Sequence, residues 1–238
     1  WAATGLASWD FRSLEPYLRK IEDATLVTGA REPHRGYSGP IRLSYGTLRH
    51  EISKAFIESA KLSGLPENHG FNGASQIGAG FYELTIADGK RSGGFKFLEQ
   101  AKERSNLTVM TDCSVRRLAM QGSRATGVVI ESKGRETTVL AEREVLLAAG
   151  AIGSPQLLML SGIGPAEHLR EIGVKPIIDA AGVGSNLQDH LDCSLRFEAS
   201  RPITLTPYLG LFKGCLAGVQ YVCRGDGPGT SQGVEAGA

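Results

Sequence analysis

Residues 143–165 read Arg-Glu-Val-Leu-Leu-Ala-Ala-Gly-Ala-Ile-Gly-Ser-Pro-Gln-Leu-Leu-Met-Leu-Ser-Gly-Ile-Gly-Pro. The apolar run Val145–Ala149 predicts a short buried strand. Gly150 permits a sharp turn, because it reaches φ values that a side chain forbids. Ser154 is a good N-cap and Pro155 suits a first helical position, so a short apolar helix is expected over 156–160. Ser161-Gly162 would stop it. A strand, a glycine turn and a helix start let a ligand approach the backbone and present N–H groups to an anion. Alone, such a turn is more often a packing solution than a site.

Working outward, the chain has 238 residues, 41% hydrophobic and 21% charged, with a formal net charge of +1. That is enough apolar material for one large domain or two small ones. The charge balance gives no reason to expect nucleic acid or an anionic membrane surface as partner. No apolar run reaches the roughly 20 residues of a transmembrane helix, and the first residues lack the basic start and apolar stretch of a signal peptide. Cys113, Cys193, Cys215 and Cys223 form no Cys-x-x-Cys pair, so no metal site is expected, and scattered thiols fit a reducing, cytoplasmic location.

Helices are expected at 13–22, 50–63, 95–104, 165–172 and 209–223. A loop is expected over 29–39. Strands are expected at 40–45, 106–111, 114–120, 125–132, 137–144, 174–179 and 191–199, with a hairpin return at Ala87-Asp88-Gly89. Residues 106–149 thus read as a β-meander ahead of the Val145–Ala149 strand.

Farther along lies Gly182-Val-Gly-Ser-Asn-Leu-Gln-Asp-His190. Together, Gly150-Ala151, Ser154-Pro155, Met159-Leu160 and Ser161-Gly162-Ile163-Gly164 resemble the second signature of the glucose–methanol–choline (GMC) flavoprotein oxidoreductases. The 182–190 stretch resembles the choline and alcohol dehydrogenase branch of that family. Phe71-Asn72-Gly73, Gln76, Gly78, Gly80, Thr85, Gly89-Lys90-Arg91-Ser92 and Phe97-Leu98 are similar to its return into the flavin domain, although Gly93-Gly94 stand where members carry a small residue such as Ala or Thr.

The resemblance implies an α+β fold. One part is an α/β, Rossmann-like FAD-binding domain, and the other an antiparallel-sheet substrate domain. Residues 1–100 would be mainly substrate and lid part, 101–190 mainly FAD-binding part, and 191–238 a further substrate-domain piece. The implied activity is FAD-dependent oxidation of the CH–OH group of a small-molecule alcohol, with hydride passing to flavin N5 and electrons to oxygen or a quinone. A non-oxidative protein on the same scaffold, a hydroxynitrile-lyase-like enzyme or a flavin-free binding module, is the alternative. The implied cofactor contacts are Val115 by its backbone, the turn Ala149, Gly150 and Ala151, and Ser154, which would serve equally as a plain cap.

No Gly-x-Gly-x-x-Gly follows an N-terminal strand, and no C-terminal active-site His segment appears. The chain therefore reads as the central piece of such an enzyme, GMC-like but incomplete, with no catalytic residue of its own. Asn186, Asp189 and His190 read as structural. His34, His50, His69 and His168 show no metal or triad spacing. On its own the chain is expected to bind FAD weakly or not at all, to oxidise no alcohol, and to associate.

Overall fold

The computed structural model describes residues 1–27, 31–230 and 232–238. The expected loop 29–39 therefore begins outside the described residues. Contacts divide the chain into two compact units, 1–107 with 196–238, and 108–195. Six helices run through the described residues: α1 (Phe11–Ile21), α2 (Glu51–Leu62), α3 (Phe95–Ala101), α4 (Gly150–Leu160), α5 (Ala166–Glu171) and α6 (Leu211–Arg224).

In the first unit several helix ends carry a cap. Asp10 accepts from the Ser13 amide at 2.8 Å, which moves the start of α1 ahead of the expected residue 13. His50 Nδ1 accepts from the Ile52 amide at 3.2 Å and so caps α2. Gly225, at φ 68°, ends α6 in the left-handed region. The strands here are two-residue ladders. Glu22–Asp23 pairs in parallel with Ile41–Arg42, and Ser44–Tyr45 pairs antiparallel with Glu83–Leu84. The expected strand 40–45 is therefore two short strands that serve different partners, Leu43 being buried between them. The hairpin Ile86–Ala87 to Lys90–Arg91 turns on Asp88 and Gly89, at φ 54° and 68°.

Arg35 holds these ladders together. Its side chain is 1% exposed. Nε and Nη2 donate to the two carboxylate oxygens of Glu22 at 3.0 and 2.9 Å. Nη1 and Nη2 donate to those of Glu83 at 3.0 and 2.8 Å. One guanidinium thus grips both ladders, one through Glu22 and the other through Glu83. Burial opposes its charge, but the hydrogen bonds and negative charge of Glu83 and Glu22 outweigh that and raise its pKa.

The second unit is built on a three-stranded antiparallel meander, Ser114–Gln121, Arg124–Ser132 and Arg135–Leu140, in that order across the sheet. Lys133-Gly134, at φ 50° and 73°, makes the second turn. Leu118, Val129 and Ile130 are buried on the sheet, and α5 buries Leu169 completely. Three expected strands are absent among the described residues: 106–111, 145–149 and 191–199 have no ladder partner there. Their apolar pattern suits a strand, but a strand exists only where a neighbour completes its hydrogen bonds. Leu146 is accordingly 80% exposed.

Replacing Arg35 by Ala leaves two carboxylates without their cation. The expected loss of unfolding free energy, read from urea denaturation, is about 3–5 kcal/mol. Arg35→Lys should recover only part of it, since an ammonium cannot grip two carboxylates bidentately. A loss of less than about 1 kcal/mol for Arg35→Ala, typical of a surface pair, would show that the ladders are held by something else.

Candidate functional site

The decisive stretch folds as a turn and a helix, but its start is shifted. Helix α4 begins at Gly150 rather than after Ser154. Gly150 has φ 80°, and Ala149 is the N-cap residue. The Ser154 hydroxyl accepts from the Ala149 amide at 3.1 Å, so it bonds back to the turn instead of capping its own helix start. Pro155 lies inside the helix, where it has no N–H to return to the Ala151 carbonyl. The apolar turn 149–153 continues straight into the helix, which is why a cap signal at 154 misplaced the boundary by one turn.

A Cβ added at Gly150 would meet nothing within 4 Å. The turn is open space on its outer side, and Ile152 is 73% exposed. The helix then runs along an open apolar cleft of about 530 Å³, lined by Ile152, Pro155, Met159, Val183, Gly184 and Leu187. This cleft joins the two motifs of the sequence, at 150–164 and 182–190.

Val115 sits at the start of the first meander strand, opposite Ile130, and is 38% exposed. The register slips between Val115 and Arg117, a bulge that re-aims the strand end. Helix α4 packs against this strand. The link between them is Ser161, buried at the end of the helix. Its hydroxyl accepts from the Leu118 amide at 2.8 Å and donates to the Leu157 carbonyl at 2.5 Å. In the sequence Ser161 reads only as part of a helix stop. A polar residue between an apolar helix and a glycine was the available signal. Gly162 follows at φ 82°, and a Cβ there would lie 2.6 Å from the Lys175 carbonyl oxygen.

The remaining polar candidates do not gather. Asp189 accepts from the backbone amide of His190 at 2.8 Å, and both residues are exposed. His34 pairs with Glu15 at 2.9 Å, a partner that sequence spacing did not offer. Among the described residues no group of His, Cys, Asp or Glu could hold a metal, and the four cysteines are free. No helix among them is long and apolar enough to cross a membrane. Within the first unit, a second cleft of about 590 Å³ is lined by Tyr45, Thr47, Asp88, Arg91, Tyr221 and Thr230. The Tyr221 hydroxyl donates to the Gly89 carbonyl at 2.5 Å across it.

The family model described as GMC oxidoreductase matches residues 1–192. The chain belongs to the GMC oxidoreductase family. The oxygen-dependent choline dehydrogenase of Rhizobium etli is 37% identical over 237 residues, 99% of this chain and 42% of that protein. The mitochondrial choline dehydrogenase of Homo sapiens is 38% identical over 239 residues, 100% of this chain and 40% of that protein. The chain thus spans about two fifths of the length of these relatives. Among solved structures, an FAD-dependent oxidoreductase from Chaetomium thermophilum matches with a TM-score of 0.83 and 26% identity, over 99% of this chain and 44% of that one. The fold is that of GMC oxidoreductases, with helices and small sheets in place of one continuous sheet among the described residues.

The two glycines should respond differently to alanine. Gly150→Ala strains the backbone but meets open space, so about 1–2 kcal/mol should be lost. Gly162→Ala adds a clash with a backbone carbonyl, and about 2–4 kcal/mol is expected. Thermal unfolding of both variants checks the order. Equal losses would mean that the turn at Gly150 is as enclosed as that at Gly162.

Proposed function

We propose that this GMC chain contributes to FAD-dependent oxidation of the CH–OH group of a small alcohol, of the kind its choline dehydrogenase relatives are named for. The observation that carries the reading is the match over residues 1–192 together with those relatives at 37–38% identity.

The residues present fit one wall of an FAD site. The turn Ala149–Ala151 is built of small residues and faces open space at Gly150, and Val115 leaves its strand end exposed. These four residues would lie along the adenine half of the cofactor, and Ser154 would hold the turn through the Ala149 amide. When bound, FAD supplies the hydride acceptor at flavin N5. The unit 108–195 would be a piece of the flavin domain, and the unit of 1–107 with 196–238 a piece of the substrate domain. The cleft between Tyr45 and Tyr221 is then the candidate place on the substrate side. Among the residues described here, none is assigned the role of taking the alcohol proton. Oxygen or a quinone would accept the electrons.

One wall cannot enclose a ligand, and tight sites bury about 70–90% of the ligand surface. The 238-residue polypeptide by itself is therefore expected to bind FAD weakly or not at all, to oxidise no alcohol, and to associate through its exposed apolar residues. Titration of FAD into the purified polypeptide, followed by calorimetry, checks this, and a stoichiometric complex at low micromolar concentration would contradict it. For the full-length protein the expected result is flavin absorption bands at about 370 and 450 nm that bleach with an alcohol. Flavin bound without redox turnover would favour a lyase, and absence of flavin would sink the oxidoreductase reading.

A further inference from the structure

We propose that Ser161 is a positioning residue for the adenine half of FAD, an inference that rests on the cofactor reading above. The hydroxyl is buried and makes two bonds in opposite senses. It accepts the Leu118 amide of the first meander strand and donates to the Leu157 carbonyl of α4. Leu118 lies three residues along the strand from Val115, about 10 Å. Ser161 closes the helix that Gly150 opens, 11 residues or about 16 Å away. Strand and helix are each stiff, so the bond between them sets how the Val115 end stands relative to the Ala149–Ala151 turn.

The bond also satisfies a strand amide at a sheet edge. The pairing order leaves Ser114–Gln121 with a neighbour on one side only, and its other side faces α4. Leu118 N–H points to that open side and meets Ser161 instead of another strand. Removing the hydroxyl leaves a buried donor unmet, which the strand can relieve only by shifting against the helix. Val115 is next to the bulge, where the ladder to the neighbouring strand is locally interrupted.

The test uses the full-length protein, with Ser161→Ala and Ser161→Thr compared with wild type by titrating the apoprotein with FAD, ADP and FMN. In Ser161→Ala, affinity for FAD and for ADP should fall about tenfold, while FMN, which lacks adenine, binds as before. Ser161→Thr keeps the hydroxyl and should restore ADP binding. Hydrogen exchange at the Leu118 amide should quicken in Ser161→Ala alone. Equal weakening of all three ligands, or none, would overturn the proposal. A wild-type protein that binds FMN as tightly as FAD and ignores ADP would instead remove the cofactor reading beneath it. If Ser161→Ala does not fold, Ser161→Cys, a weak donor and acceptor, takes its place with the same readouts.

Discussion

A single buried guanidinium does for the first unit what a continuous sheet does in most mixed folds. The ladders it joins are two residues long, and isolated ladders of that length are not stable in water. The apolar cluster beside it, Ala24, Val27 and Leu43 with Tyr37 and Tyr45, is small. Arg35 spends four N–H bonds on Glu22 and Glu83, and Glu22 further accepts the Gly36 amide at 2.9 Å. Desolvating three charges is costly, and only such near-complete hydrogen bonding offsets it. The gain lies in definition: a fork with fixed geometry admits one arrangement of the two ladders.

The second unit solves the same problem with a neutral group. Its meander supplies ordinary cross-strand pairing, but one edge strand and a mostly apolar helix must still be held in register. Apolar contact is non-directional and would let one slide on the other. The Ser161 hydroxyl adds direction, since it must meet one amide and one carbonyl at once. Just beyond, Gly162 takes a left-handed φ of 82° that glycine adopts freely, and the chain folds back to bond the Ile177 and Ile178 amides to the Gly162 carbonyl.

The proposed function draws on what these anchors leave open. The turn at Gly150, the exposed face of Ile152 and the strand end at Val115 are surface rather than core. On the proposed reading, this open wall of small residues is the part that would lie against the adenine half of FAD. The apolar cleft from Ile152 to Leu187 extends that wall and ties the two sequence motifs into one surface.

The sequence by itself determined the family resemblance and most of the helices. The 150–164 and 182–190 motifs depend on local residue order, and helices are stabilised by contacts a few residues apart, so both are legible along the chain. Helix ends moved where a capping bond differed from the nearest cap signal, as Asp10 and Ser154 show. The meander strands expected at 114–120 and 125–132 also form, at Ser114–Gln121 and Arg124–Ser132, but tertiary structure decided the other strands, because a strand is defined by its neighbour. Val145–Ala149, 106–111 and 191–199 carry a strand's pattern and have no partner among the described residues, while the expected 40–45 divides between two. It alone also revealed Arg35, read from sequence as one residue of a loop, because Glu83 lies 48 positions away. Ser161 was hidden for the same reason: its partner Leu118 is 43 residues distant, and only folding brings an amide to a hydroxyl across that separation.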